Sequence, residues 1–155
     1  MASRRSAGIL LYRRGAGGGR EVLLVHPGGP FWTRKDLGAW SIPKGEHGDE
    51  EDPQACALRE VREETGVALD ACGLMNLGEV RQRGGKVVRA WACEGDLDIT
   101  RLVSNTFTME WPPRSGRQQE FPEVDRADWF GVDEARRRIN PAQAAFLDRL
   151  DEPAR

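Results

Sequence analysis

Residues 45–67 read GEHGDEEDPQACALREVREETGV, and the reading of everything around them follows from these. From Asp52 the pattern turns helical. Asp52 suits an N-cap and Pro53 the first helical position. Gly66 supplies a left-handed residue to close the helix after Thr65. At 3.6 residues per turn Glu60, Glu63 and Glu64 stand at i, i+3 and i+4, within an arc of roughly 100°. Ala57, Leu58, Val61 and Thr65 fall on an adjoining arc that can pack on a sheet.

Three carboxylates on one helical face repel, at about 0.2–0.5 kcal/mol per i, i+4 pair. The ordinary meaning of such a cluster is a solvated face. The chemical meaning is a face that holds cations, and oxygen-only donors at this density suit Mg²⁺ or Mn²⁺ rather than zinc. Arg59, four residues before Glu63, can bridge to it or hold Glu60. The loop 44–48 contains two glycines, which let backbone groups approach a metal or phosphate closely. Bound divalent ions neutralise phosphate oxygens and activate water, and a spare carboxylate can take the proton. A cation-holding face would serve hydrolysis of a phosphoanhydride, while a solvated face remains the commoner reading of the carboxylates alone.

Outward from this helix, residues 7–12 and 21–26 predict two buried strands. They form a hairpin across the glycine-rich loop 15–19, which lacks the G-K-[ST] of a P-loop. Residues 39–42 predict a short strand stopped by Pro43. Residues 76–83 and 86–93 predict two strands joined by a two-residue Gly84-Gly85 turn. Residues 104–111 predict a further strand, residues 112–122 a polar loop, and residues 127–130 a last short strand. Helical segments follow at 133–139 and 141–150. Strands first, a helix between and helices last predict an α+β sandwich in a single domain, residues 1–155.

The 155 residues suffice for one core, and 39% hydrophobic with 31% charged residues is an ordinary balance. A formal net charge of -2 gives no global attraction for nucleic acid. Cys56, Cys72 and Cys93 form no C-x-x-C pair, which argues against a disulfide framework or zinc site and fits a reducing cytoplasm. The apolar run 7–12 is too short for a signal segment or membrane span.

Gly45, Glu51 and Arg59-Glu60-Val61-Arg62-Glu63-Glu64-Thr65-Gly66-Val67 agree in type and spacing with every fixed position of the Nudix box. The chain thus resembles the Nudix (MutT-like) hydrolases. The flanks agree too, with strands before the box and a late Trp129-Phe130 strand leading into a helix. The resemblance implies the Nudix fold, a mixed sheet sandwiched between helices. It implies Glu60, Glu63 and Glu64 as metal-binding carboxylates, with Glu60 or Glu63 also a candidate base. Arg59 would orient one of them, and the Lys44 or Gly45 carbonyl would add a metal ligand. Glu51 would support the box. Family members often use one more carboxylate from a late loop. Glu120 and Glu123 are the candidates, with Glu120 ahead because loop 112–122 looks mobile enough to close on substrate.

The substrate is less legible. Residues 76–92 lack both the proline that in the family points to ADP-ribose and the tyrosine that points to dinucleoside polyphosphates. Trp40-Ser-Ile-Pro43-Lys44-Gly45 is similar to a W-x-x-P-K-G segment of members acting on dinucleoside polyphosphates or diphosphoinositol polyphosphates. Trp32 and Trp40 can stack on a base or serve as core. Arg34, Lys35 and Lys44 can meet phosphates or be ordinary surface charge. The expected partner is a small nucleotide or polyphosphate. The first candidates are a nucleoside triphosphate or dinucleoside polyphosphate, ahead of ADP-ribose, a nucleotide sugar or a diphosphoinositol polyphosphate. A homodimer is compatible with the family, although nothing in the sequence marks an interface. A nucleotide sensor without turnover is the rival from another class, and a repulsive carboxylate face weighs against it. The complete box weighs against an isomerase, and the lack of a basic excess against decapping.

Overall fold

The computed structural model of the protein describes residues 5–15, 17–65, 69, 73–96, 98–101 and 104–151. β1 (Arg5–Arg14) and β2 (Arg20–Pro27) are apolar along most of their length, as strands covered on both faces must be. They pair antiparallel, Tyr12 opposite Val22. β3 (Lys44–His47) follows, then α1 (Pro53–Thr65), β4 (Met75–Arg81) and β5 (Val87–Glu94). β6 (Thr106–Glu110) and β7 (Gln118–Pro122) form a separate two-stranded sheet, and β8 (Val124–Gly131) leads into α2 (Val132–Arg138) and α3 (Ala144–Asp151).

The main sheet runs β4-β5-β1-β2-β8, with β3 also on β1. The β1–β5 pair is parallel and the others are antiparallel, so the sheet is mixed. β2 takes the C-terminal part of one edge of β1 from Tyr12 to Arg14, while β3 takes residues 5–8. The edge is thus split between two strands.

Alternation along the strands divides the apolar side chains between two faces. On one face Ala7, Ile9, Leu11, Leu23, Trp91 and Trp129 pack with Cys56, Ala57 and Val61 of α1. On the other Leu10, Leu24, Val88 and Ala90 pack with Ala135, Ile139, Phe146, Leu147 and Leu150. The α+β sandwich expected from the sequence is this arrangement. Asp52 caps α1 as expected, its Oδ2 accepting from Ala55 N at 3.0 Å. The expected C-terminal Gly66, the Thr65 side chain, Val67 and Cys72 lie outside the described residues.

Four local expectations need correction. Residues 39–42 form no strand, only isolated bridges between Trp40 and Ile139 and between Val25 and Ser41. The pairing expected there begins two residues later, at β3, which the sequence presents as a loop. Lys-Gly-Glu-His has no apolar alternation to announce a strand; β1 supplies the partner. The polar loop 112–122 contains β7, paired residue for residue with β6 from Thr106–Pro122 to Glu110–Gln118. The β4–β5 connection is wider than a two-residue turn. Gln82 N donates to Lys86 O, and Gly84 and Gly85 inside it both take positive φ.

Candidate active site

The carboxylate face of α1 lies against the split edge of β1. Gly45 of β3 sits directly under Glu60: a Cβ at Gly45 would come within 2.1 Å of the Glu60 carboxyl carbon. Only glycine leaves that space, so the Glu60 side chain lies across the β3 backbone. The Gly45 carbonyl accepts from the Cys56 thiol at 3.5 Å, which ties the strand to the first turn of α1. Burial, followed by the nearby Glu60 carboxylate, raises the Cys56 pKa to about 11, so this thiol is structural rather than reactive.

Arg59 collects three carboxylates. Its Nη1 donates to Glu51 Oε2 in a short contact, Nη2 lies 3.6 Å from Glu60 Oε1, and Nε lies 3.7 Å from Glu63 Oε1. Glu63 is the outermost, and its Oε2 meets Asn105 Nδ2 at 3.5 Å. Burial and then Glu63 push the Glu60 pKa upward.

Glu64 is the innermost. It is 6% exposed, and its Oε2 has no hydrogen-bond partner among the described residues. Burial first, then Glu60 and Glu123, push its pKa to about 8, while Lys44 opposes the rise. Lys44 is lowered to about 8 by burial and by Lys86, whose Nζ lies 3.3 Å from Glu46 Oε1. Val25, Ser41, Lys44, Glu64 and Glu123 line one small cavity at the split edge.

These residues fit a hard divalent cation. The donors are all oxygen, one buried carboxylate oxygen has no protein partner, and glycine keeps the β3 backbone within reach of Glu60. No three acidic, histidine or cysteine side chains among the described residues already converge on a common point. Arg59 draws Glu60 and Glu63 toward itself, and Glu64 turns inward.

The late carboxylates separate. Glu123 lies close enough to raise both Glu60 and Glu64, whereas Glu120 is exposed on β7 opposite Thr108. The residue that the sequence ranks second is the one beside the cluster. The segment expected as a loop is a strand, with Glu120 exposed on it.

Among the substrate-contact candidates, Lys44 and Trp40 reach the site and the others stand apart. Trp40 is 3% exposed, donates from Nε1 to Asp36 Oδ1 at 2.7 Å, and packs edge-on against Phe130. It is mainly core, but it also lines a cavity of about 490 Å³ that reaches Glu64. Trp32 is 39% exposed under the Lys35 ammonium, on the exposed 31–35 turn with Arg34. No described contact links this turn to the α1 glutamates. The sequence reading missed Asn105, Asp125, Arg126 and Phe130, which come from segments without a motif. The one available signal was His26, a polar residue directly following the apolar run 22–25.

A NUDIX domain model matches residues 2–150. The chain belongs to the NUDIX domain family. No curated protein matches it significantly. Among solved structures it is similar to a C. elegans Ap4A hydrolase binary complex, at 20% identity and TM-score 0.63, over 94% of each chain. It is similar to the NUDIX domain of Shewanella oneidensis NrtR complexed with ADP ribose, at 17% identity and TM-score 0.64, over 97% of this chain and 87% of the other. A MutT/nudix family protein from Enterococcus faecalis matches at 20% identity and TM-score 0.59, over 84% of this chain but only 44% of that one. At such identities these likenesses show the shared fold. Among the described residues no helix is long and apolar enough to cross a membrane.

Proposed function

We propose that this NUDIX protein is a Mg²⁺- or Mn²⁺-dependent pyrophosphohydrolase of nucleoside diphosphate derivatives, with a nucleoside triphosphate or dinucleoside polyphosphate as first candidate. The observation that carries the proposal is the orphaned, buried Oε2 of Glu64 on a face it shares with Glu60 and Glu63. A buried acceptor with no protein partner is costly unless something else satisfies it.

Glu60, Glu63 and Glu64 would hold the divalent ions, with the Lys44–Gly45 backbone beside them. The bound ions would neutralise the diphosphate oxygens and sharpen water as a nucleophile. Arg59, anchored on Glu51, keeps Glu60 and Glu63 oriented. Glu123 faces the cluster from the β7–β8 junction and is our candidate to take the proton of the attacking water, in place of Glu120. Lys44 at the split edge offers a cation to a phosphate oxygen.

The ADP ribose bound to the NrtR domain keeps ADP-ribose or a nucleotide sugar as the second reading, on fold likeness alone. The test is a nucleotide panel incubated with the protein and Mg²⁺, with products resolved by phosphorus NMR. Turnover of a nucleotide, lost with EDTA and reduced by several orders of magnitude in Glu63→Gln, is expected. Full activity of that variant, or activity indifferent to EDTA, defeats the assignment.

A further inference from the structure

We infer that the 490 Å³ cavity reaching Glu64 is the base-recognition site of this protein, and that Asp125 selects in it for a nucleobase carrying an exocyclic amino group. The inference rests on the reading of Glu64 as part of the reaction centre and adds to it the identity of the group attached to the diphosphate.

The cavity has the size and lining of a small-molecule site. It runs from Glu64 and Ser104, along residues 124–128, to Trp40 and Phe130. Its walls combine apolar surface from Val25, Ile99 and Ala127 with the carboxylate of Asp125 and the guanidinium of Arg126. Among the described residues β8 pairs only with β2, so it is an edge strand whose outer backbone groups meet no sheet neighbour there. A planar, uncharged ring with donors and acceptors on its rim matches such a wall. A second densely phosphorylated group does not. Glu64, Asp125 and Asp128 all line the space, and Arg138 is already held by both oxygens of Asp36 and by Glu134. This charge distribution argues against an inositol polyphosphate in the cavity.

Asp125 is built in rather than incidental. His26 is fully buried, and its Nε2 lies 2.6 Å from the Lys35 carbonyl oxygen, which can only accept. Nε2 therefore donates, and Nδ1 lies 2.7 Å from Asp125 Oδ1. The imidazole is clamped further by Trp40, edge-on at 5.2 Å. A rigid buried ring thus fixes one oxygen of a carboxylate that is itself 30% exposed. Asp125 Oδ2 accepts no hydrogen bond among the described residues. A fixed carboxylate with an oxygen to spare is an acceptor for an amino N–H and repels a carbonyl oxygen at the same position. Arg126, whose guanidinium lies 5.2 Å from the Trp40 ring centre, offers a flat cationic surface beside it. His26 is a positioning residue here, and Asp125 is the residue that reads the ligand.

The test uses nucleosides, so it needs neither metal nor turnover. Isotope-labelled full-length protein in EDTA is titrated with adenosine, guanosine, cytidine, uridine and inosine, and separately with inositol hexakisphosphate, while backbone amide shifts are followed. At least one of the three amino-bearing nucleosides is expected to shift the amides of Ser104, Asp125 and Ala127. It should bind about tenfold or more tightly than the panel nucleoside that lacks that amino group, as for a hydrogen bond to a charged group. Asp125→Asn replaces the charged acceptor with a neutral amide that offers the ligand an N–H or a weaker oxygen, so it should reduce, remove or invert that preference. Three results overturn the inference: no nucleoside shifts these amides, the preference survives undiminished in Asp125→Asn, or inositol hexakisphosphate binds there instead. If the variant fails to fold, the wild-type panel decides alone. Hydrolysis without nucleoside binding sinks the base site and leaves the enzyme reading intact. Nucleoside binding without hydrolysis of any anhydride does the reverse.

Discussion

Glu64 and its two neighbours show how far a single side chain can be charged with opposing duties. A carboxylate that is 6% exposed and crowded by Glu60 and Glu123 destabilises the folded chain whenever it is ionised. Glu64→Gln removes that charge and nearly preserves the shape. In EDTA at pH 7.5 the variant should therefore melt higher than the wild type, by several degrees. In Mg²⁺ that advantage should narrow, because a ligand held only by the native state stabilises the wild type by about 2.7 kcal/mol at a hundred times its dissociation constant. Calorimetry in both buffers reads the two effects side by side. A variant that melts lower in EDTA, or gains as much from Mg²⁺ as the wild type does, contradicts the role given to this oxygen. Asp125 stands at the opposite extreme. His26 engages its Oδ1, and Asp125→Asn keeps a polar group there, so that variant should alter ligand preference more than stability.

At the scale of elements, β3 and α1 operate as one unit joined by Gly45. Adding a methyl group there places it 2.1 Å from the far end of the Glu60 side chain, which is flexible and can swing aside. Gly45→Ala should therefore fold, with a small loss in melting temperature. It should bind Mg²⁺ about tenfold more weakly, near 1.4 kcal/mol, because Glu60 no longer lies across the strand. Unchanged Mg²⁺ affinity by isothermal titration would refute the cradle. Removing the cap, Asp52→Ala, costs about 1 kcal/mol of stability by urea denaturation and leaves this geometry alone. The α1 signals were legible because cap, proline and carboxylate spacing are all local and mutually consistent. β1, β2 and β5 were legible because burial on both faces leaves a long apolar run, interrupted in β5 by Arg89 alone. β3 and β7 were not: both are short and polar, and their partners are supplied by the fold. Glu123, at the β7–β8 junction, stands close enough to Glu60 and Glu64 to raise both, a proximity that the fold creates and composition does not announce.

For the molecule as a whole, the same buried charges set how stability varies with pH. Glu64 has a folded pKa near 8 against 4.5 for its ordinary value. Its protonated form is favoured by the fold, so its contribution is fully present below about pH 4.5 and is lost as pH rises through 8. At about 1.36 kcal/mol per unit this is at most roughly 5 kcal/mol. Lys44 acts in the next window. Its folded value near 8 lies below 10.5, so the fold favours the neutral amine, and stability returns as pH rises from about 8 toward 10.5. Below pH 5 a third set takes over. Asp36, held by the Trp40 indole and Arg138, and Glu134, held by Arg138, have lowered values, so their contribution is present above their ordinary range and is lost as pH falls through it. Metal-free protein should therefore be most stable near pH 5, pass through a minimum near pH 8, and partly recover above it. Urea denaturation in EDTA across pH 4–10 measures the curve. Glu64→Gln should flatten the fall between 5 and 8 while leaving the alkaline recovery, and Lys44→Met should do the converse. A wild-type curve that climbs steadily from pH 5 to 8 would mean that the carboxylate face is hydrated rather than enclosed, and the case for a cation-holding site would lose its physical basis.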